Sequence, residues 1–156
     1  MSKSSGATAP QIRNRKASFR FEIVEKLDCG LVLWGTEVKS LRAGQASLDE
    51  SYARIEKEEI WLHNFHIAPY EHGHTTNHLP MRPRKLLLHR REIRKLTPKV
   101  TQRGFTLVPL SVYFNERGLA KVKLALARGK THGDKREDIK KRDHAREMQR
   151  AKRGRR

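Results

Sequence analysis

The sequence predicts a mainly β protein: an antiparallel barrel of the OB-fold type, with one main helix and a basic C-terminal tail that is disordered when free. Apolar and polar residues alternate through most of the middle of the chain, which is typical of strands with one buried face, and polar turns separate these strands. The length of 156 residues suits one hydrophobic core with tails. A split β-sandwich is the alternative arrangement of the same strands.

The N-terminal third contains two predicted strands and a short helix. Apolar residues alternate with charged ones over residues 19–23 and predict the first strand. The Asp28-Cys29-Gly30 segment is typical of a turn, and the next strand follows over 31–34. A short helix over 38–42 has Gly44 just beyond it as a stop signal.

Two hairpins are predicted further along the chain. The first joins strands over 52–55 and 60–67 through a charged turn, and the second joins strands over 105–114 and 119–127 through a turn that ends in glycine. Pro109 lies inside one of these strands, where a missing N–H implies either an edge position or a bulge.

Two segments are compatible with helix. Residues 89–103 have helical spacing of apolar side chains, although Pro98 is expected to kink such a helix. From Asp134 to Arg153 the tail contains no Gly or Pro, but it has very few apolar residues to pack against the barrel. We therefore expect the tail to fold only on contact with a polyanion.

The positive charge is concentrated at the two ends of the chain. Of the net charge of +18, the first 20 residues carry +5 and the last 29 carry +8, whereas the long middle segment carries only +5. We predict a flexible basic arm over 1–15, an RNA-binding barrel over 16–128 and a basic tail over 129–156. Nucleic acid and anionic membrane surfaces are the favoured partner classes.

Several classes of protein are excluded by composition. The single cysteine, Cys29, excludes an internal disulfide and a multi-cysteine zinc site, and indicates a reducing compartment, the cytoplasm. No apolar run approaches the roughly 20 residues of a membrane helix, and we expect no secretory signal. His72, His74 and His78 could hold a metal, but no acidic ligand lies within their run, so a solvated loop is favoured over an enzyme site. No metal and no cofactor are expected.

Basic side chains form clusters suited to RNA phosphates. Lys121 and Lys123 alternate with apolar residues along one strand, so both should project from the face opposite the core. A few aromatic rings could stack on bases, although core packing explains most of them equally well. These rings are Phe21, Trp34, Tyr52, Trp61, Tyr70 and Tyr113.

Five segments carry a specific resemblance. They read NRKASFRFEI, GTEVKSLRAGQASLDESYARI, RKLLLHRREI, KVKLALARGK and DKREDIKKRDHAREMQR. In this order and spacing, over about residues 12–150, the chain resembles the SsrA-binding protein (small protein B) family, the partner of transfer-messenger RNA. The resemblance implies an OB-fold that binds the tRNA-like part of that RNA and delivers it to stalled ribosomes, without catalytic activity. It also implies a tail that becomes helical in the empty mRNA channel, and elongation factor Tu with GTP as an indirect partner through the charged RNA.

The resemblance and the basic clusters together give the candidate site residues. For RNA binding they are Asn14, Arg15, Lys16, Asp28, Glu37, Lys39, Tyr52, Lys85, Leu87, Lys121, Lys123, Arg128 and Lys130. For the hinge and the ribosome-binding tail they are Gly129, His132, Asp134, Lys135, Arg136, Lys140, Lys141 and Arg142. Gly133 stands where the family usually has His or Tyr, so His132 could take over that contact.

The two acids on this RNA surface have different expected roles. We expect Asp28, in its predicted turn, to accept hydrogen bonds from RNA hydroxyl or base groups. We expect Glu37, at a helix start, to satisfy backbone donors instead. A basic protein that binds ribosomes, membranes or other polyanions without selectivity remains the alternative. Preference for a structured tRNA-like RNA over random RNA would distinguish the two.

Overall fold

The computed structural model describes residues 10–73, 75, 77–130 and 132–154, with residues 132–135 as backbone only. Its strands form one antiparallel barrel, because β8, β4, β5, β7, β2 and β9 pair in that order and β9 pairs again with β8. Strand β1 adds to the outer edge of β8, and β3 pairs with β6 separately. The strands are Ile12–Arg13 (β1), Phe21–Leu31 (β2), Ala46–Ser47 (β3), Tyr52–Glu56 (β4), Glu59–His63 (β5), His66–Ile67 (β6), Arg84–Leu87 (β7), Phe105–Phe114 (β8) and Ala120–Gly129 (β9).

Within the described residues, four helices accompany the barrel: Ala17–Arg20 (α1), Gly35–Arg42 (α2), Arg90–Val100 (α3) and His132–Arg153 (α4). The buried faces of the barrel strands, together with Leu41 of α2 and Ile93 and Leu96 of α3, form one hydrophobic core. None of the helices described is long and apolar enough to cross a membrane.

The mainly antiparallel barrel, the second hairpin and helix α2 are confirmed. The first hairpin is confirmed at its turn, but its second strand, predicted over 60–67, ends at His63, and residues 66–67 form β6, which pairs with β3. Gly44 follows α2 with a φ of 74°, a backbone conformation that glycine adopts without steric cost. The β8–β9 register shifts between Pro109 and Ser111, so the proline sits at a bulge. Asn14 supplies hydrogen bonds to two carbonyl groups at this bulge. Its backbone N–H donates to Leu110 O at 2.8 Å, and its side-chain Nδ2 donates to Pro109 O at 3.0 Å.

The prediction of a strand over 19–23 is wrong at its start. Residues 17–20 form the one-turn helix α1, and β2 begins only at Phe21. This turn places Ala17, which is 2% exposed, against Val108 and Ala127 in a small second core. Alternation over so short a segment did not distinguish a strand from a helical turn that buries one alanine.

The predicted turn at Asp28–Gly30 is also wrong. These three residues continue β2, where they pair with Lys123, Val122 and Lys121 of β9. An alanine-sized side chain at Gly30 would place its Cβ 3.1 Å from the Leu87 Cβ on β7, so the glycine permits close approach of the two strands. The strand expected over 31–34 ends at Leu31.

The tail differs from the predicted disordered segment because α4 is helical and one of its faces contacts the barrel. Asp138 pairs with Lys130 Nζ, and one turn later the Arg142 guanidinium lies 5.7 Å from the centre of the Phe19 ring. Lys130 Nζ also donates to Ser18 O at 2.6 Å. The polar contacts at the α4 N-terminal half replace the apolar packing that the sequence lacks.

A buried ion cluster fastens α2 to the segment before β7. Glu37 and Arg84 are both 0% exposed and bonded to each other, and Arg82 also bonds the Glu37 carboxylate. Trp34 N–H donates to Glu37 Oε1 at 2.8 Å, which confirms that this carboxylate satisfies a backbone donor at the helix start. Burial alone would raise the pKa of Glu37, but the bonds from Arg82, Trp34 N–H and Arg84 outweigh burial and lower it.

We expect the substitution Glu37→Gln to lower the free energy of unfolding by about 3–5 kcal/mol at neutral pH, because it leaves two arginines without their buried counter-charge. Urea unfolding followed by circular dichroism measures this change. Since the pKa of Glu37 is lower in the folded protein, its contribution is present above its ordinary pKa of about 4.3 and is lost as the pH falls through the folded-state value. The difference between parent and variant should therefore shrink in acid.

The matched control for this prediction is Glu25→Gln. Glu25 pairs with Lys99 at 2.9 Å, but both side chains are at least 40% exposed, so we expect a loss below about 1 kcal/mol. Equal losses for the two variants at neutral pH would contradict the role given to the buried cluster.

Candidate nucleic-acid interface

A row of four residues crosses four strands on the outside of the barrel. Gly30 of β2 pairs with Leu87 of β7 and with Lys121 of β9, and Lys121 pairs in turn with Tyr113 of β8. Residues directly opposite in antiparallel strands share a face, so these four lie side by side. We call this surface, with Asp28 and Lys123, the outer face.

The outer face confirms the predicted alternation along β9. Val122 and Leu124 are fully buried, whereas Lys123 is exposed and Lys121 half-buried. Lys123 pairs with Asp28 across β2 and β9, so a carboxylate lies among the lysines. Asp28 is therefore exposed as expected, although a strand and not a turn presents it.

Tyr113 and Asp28 are joined by a hydrogen bond. The Tyr113 hydroxyl donates to Asp28 Oδ1 at 3.1 Å, which leaves Oδ2 of the same carboxylate with no protein partner described. Desolvation by burial, followed by the hydrogen bond and the negative charge of Asp28, raises the pKa of Tyr113. The phenol is thus fixed beside an acceptor that can receive another donor.

A shallow depression opens beside this row. Gly30 has no side chain, and Leu87 lies at its edge with 51% of its surface exposed. His89 and Glu92, at the start of α3, form the opposite wall, and Asp28 and Lys121 complete it. Cationic, acidic and apolar groups are therefore all within one concave surface.

A second group of candidate residues lies at the end of the barrel where β9 leaves it. Arg128 pairs with Glu22, and Lys130 is held by Ser18 O and Asp138. Gly129 pairs with Phe21 at this end and has nothing within 4 Å of the position of a Cβ atom. We call this region the tail end.

Near the tail end, Tyr52 lines a cleft with Asn14 and Lys16. Its ring stacks on His63 with centroids 5.3 Å apart, so a protein side chain already covers part of the surface that could stack on a base. The Asn14 amide bonds the β8 bulge, whereas Arg15 and Lys16 are exposed.

Of the remaining barrel candidates, Glu37 and Lys39 join neither group. Glu37 is fully buried, so its carboxylate cannot contact RNA in this structure. Lys39 is exposed on α2, with Nζ 5.2 Å from the centre of the Tyr70 ring. Lys85 shares the exposed face of β7 with Leu87, at the margin of the outer face, and bonds Glu59 at 3.1 Å. The single RNA surface expected from the sequence is thus divided into separate regions.

The tail candidates divide in a similar way. Arg136, Lys140 and Lys141 are exposed on α4, whereas Arg142 lies over Phe19. The side chains of His132, Asp134 and Lys135 lie outside the described residues. The hypothesis that His132 replaces the aromatic residue missing at Gly133 therefore stays a prediction.

The histidine run is not a uniform solvated loop. His78 is 3% exposed, its Nε2 lies 3.0 Å from Ile67 O, and its Nδ1 lies 2.9 Å from Thr36 Oγ1. A carbonyl can only accept, so Nε2 carries a proton and donates to Ile67 O. His74 lies outside the described residues. Elsewhere, the described residues contain no group of three or more His, Cys, Asp or Glu that could hold a metal ion.

Cys29 is buried in β2 and has no activating surroundings. Desolvation by burial, with the negative charges of Glu92 and Asp28, raises its pKa to about 12. The thiol is protonated at neutral pH, which agrees with the passive role expected for it.

The sequence indicated Tyr113 only as one of several rings that could stack on bases, and it did not place His89 or Glu92 in the site. Tyr113 could have been found, because a hairpin that turns at 115–118 brings position 113 opposite position 121. His89 and Glu92 could not have been found, since only the packing of α3 against the barrel brings them beside Gly30.

The outer face offers cations for phosphates and, in Asp28 Oδ2, a carboxylate oxygen for hydroxyl or amino donors.

Comparisons with known proteins agree on one family. A family model described as SmpB protein matches residues 11–154. The SsrA-binding protein of Moorella thermoacetica is 57% identical over 138 residues, or 88% of this chain and 89% of that protein. The SsrA-binding protein of Thermobifida fusca is 58% identical over 144 residues, or 92% of this chain and 89% of that protein. A solved structure described as "tmRNA-SmpB: a journey to the center of the bacterial ribosome" is 53% identical, with a TM-score of 0.68, and covers 84% of this chain and 95% of that one.

The bond between Tyr113 and Asp28 can be tested without RNA. We expect Asp28→Asn to lower the pH at which the Tyr113 phenol ionises, because a neutral amide no longer opposes the phenolate charge. Ultraviolet titration of parent and variant measures the shift. The variant Tyr113→Phe identifies which of the three tyrosines contributes it, and superimposable titration curves for parent and Asp28→Asn would contradict the contact.

Proposed function

The chain belongs to the SmpB family, and on this basis we propose that it is a non-enzymatic RNA-binding protein that serves ribosome rescue. It binds the tRNA-like domain of transfer-messenger RNA and delivers that RNA to stalled ribosomes for trans-translation. The observation that carries this proposal is the outer face, where Lys121 and Lys123 flank the exposed carboxylate of Asp28. The protein acts in the cytoplasm, and elongation factor Tu with GTP takes part only through the charged RNA.

The barrel and the tail have separate tasks in this proposal. On the outer face, the two lysines neutralise phosphates and Asp28 Oδ2 accepts from a ribose 2′-OH or a base amine. Leu87 covers apolar base or sugar surface. The cations of the tail end, Arg128 and Lys130, extend this contact along the same RNA. Glu37 supports the fold and does not touch RNA.

The tail binds the ribosome as a helix in the empty mRNA channel. Arg136, Lys140 and Lys141 are exposed on α4 and can meet phosphates of a channel wall on several sides. The helical segment already formed in the free chain reduces the ordering cost, which is about 1–2 kcal/mol for each residue fixed on binding.

We expect the double substitution Lys121→Glu and Lys123→Glu to weaken binding to the tRNA-like RNA by about tenfold or more near physiological salt. The slope of log affinity against log salt should fall by about 0.7–0.9 for each phosphate that the variant no longer neutralises. Filter-binding titrations at two or more salt concentrations measure both quantities.

The charge-matched control is Lys95→Glu with Arg103→Glu, which changes the net charge equally at exposed positions on α3 and in the turn after it. It should weaken binding far less. If both double variants lost affinity equally, for tRNA-like and random RNA alike, nonspecific polyanion binding would describe the protein better.

We expect Lys141→Pro to leave binding to the tRNA-like RNA intact and to abolish rescue of stalled ribosomes, because proline interrupts α4 at its middle. A reconstituted translation reaction with a message lacking a stop codon measures rescue. Lys141→Ala removes the same charge but permits the helix, so it should retain most of the activity. Full rescue by the proline variant would mean that charge alone suffices.

A further inference from the structure

An exposed tryptophan is held rigidly beyond the outer face, where β2 leads into α2. Trp34 is 53% exposed, although large aromatic side chains usually contribute to folding by being buried. The Arg82 guanidinium covers the ring, with Cζ 4.4 Å from its centre. The ring is therefore fixed in place without being removed from solvent.

The arginine that covers the ring is itself held in place by hydrogen bonds to the buried carboxylate and to a backbone carbonyl. Arg82 Nε donates to Glu37 Oε1 at 3.1 Å, and Nη1 donates to Pro83 O at 3.2 Å. The same Glu37 oxygen accepts from the Trp34 backbone N–H. The two flat groups thus form a preformed stack, which a ligand can use without the entropic cost of ordering it.

The surroundings of this stack match one chemical class of ligand. Val32, Leu79 and Met81, which lie close to Trp34 or Arg82 in the sequence, are each more than 40% exposed. The Arg82 guanidinium supplies positive charge at the ring, and the Lys85 carbonyl accepts from Val32 N–H. A flat aromatic surface beside positive charge is the arrangement that proteins use for single-stranded nucleic acid, in which bases stack and phosphates are neutralised.

The stack is continuous with the outer face. Val32 N–H donates to Lys85 O at 3.1 Å, so the β2–β7 contact continues past the end of β2. Trp34 lies four residues beyond Gly30, which is roughly 13 Å along an extended chain. One RNA bound on the outer face can therefore reach it.

We propose that Trp34 and Arg82 form a stacking site for one unpaired nucleobase, supplied by a loop of the same RNA that binds the outer face. This inference rests on the proposed RNA binding but not on ribosome rescue. Trp34 supplies the stacking surface, and Arg82 orients the ring and contributes positive charge.

The fluorescence of Trp34 tests the contact directly. The chain has two tryptophans, so Trp61→Phe leaves Trp34 as the only one, and excitation at a wavelength that tyrosine does not absorb isolates its emission. Titration with the tRNA-like RNA should quench or shift this emission over the concentration range in which the RNA binds. A fully paired RNA duplex of equal length, which offers no unpaired base, should bind through its phosphates and leave the emission nearly unchanged.

Affinity measurements provide the second test. Trp34→Leu should weaken binding of the tRNA-like RNA about tenfold, the effect typical of losing one stacked base, and Trp34→Phe should restore most of it. Met148→Ala, which changes an apolar side chain of equal exposure on α4, is the control and should leave affinity unchanged. The melting temperatures of all variants identify any loss that is due to unfolding.

Each outcome has a distinct meaning. If the RNA binds the parent while Trp34 emission and the affinity of Trp34→Leu stay unchanged, the stacking site is wrong and the proposed function stands. Emission that changes only when ribosomal protein is added would assign the patch to a protein partner and overturn the stacking site. A loss that Trp34→Phe does not restore also contradicts stacking. If the parent protein does not bind the RNA at all, the proposed function fails.

Discussion

The buried carboxylate of Glu37 is the constraint on which the arrangement of the surface depends. A charge without solvent costs several kcal/mol, so every oxygen of this group must meet a donor. Its donors come from the start of α2 and from Arg82 and Arg84, which precede and begin β7. Arg84 also reaches the carbonyls of Phe65 and Pro80. The interior ion cluster thereby sets where β7 lies beside β2, and with it the position of Leu87 beside Gly30.

Two kinds of rigidity coexist in the molecule. The outer face is defined by strand register, because each of its residues is opposite another in a paired strand, and a slip of one residue would turn the whole set inwards. Among the described side chains of the tail helix, Asp138 and Arg142, on one face, contact the barrel end. A surface that recognises a folded RNA benefits from the first kind. A segment that must enter a channel benefits from contacts that are few and polar.

Much of the fold could be predicted from the sequence, because the hairpins around residues 56–59 and 115–118 rest on local alternation and turn chemistry. The errors arose where contacts with residues distant in sequence determine the local secondary structure. Asp28–Gly30 has the composition of a turn, but pairing with β9 makes it strand, and the burial of Ala17 makes the preceding segment helical. For the site, the projection of Lys121 and Lys123 followed from periodicity. The burial of Glu37 and the exposure of Trp34 did not follow from periodicity. Both depend on contacts with arginines some 45 residues further along the chain.

The pairing of the first long strand with the last one has a consequence for how the chain folds during synthesis. Arg128 of β9 reaches Glu22 of β2 from 106 residues further along the chain. Strand β2 is made early, yet it has no partner on this side until β9 emerges. Such non-local contacts make folding slow and leave strand edges open in the meantime. Charged residues on β2, including Glu22, Glu25 and Lys26, discourage association through those edges until the barrel closes.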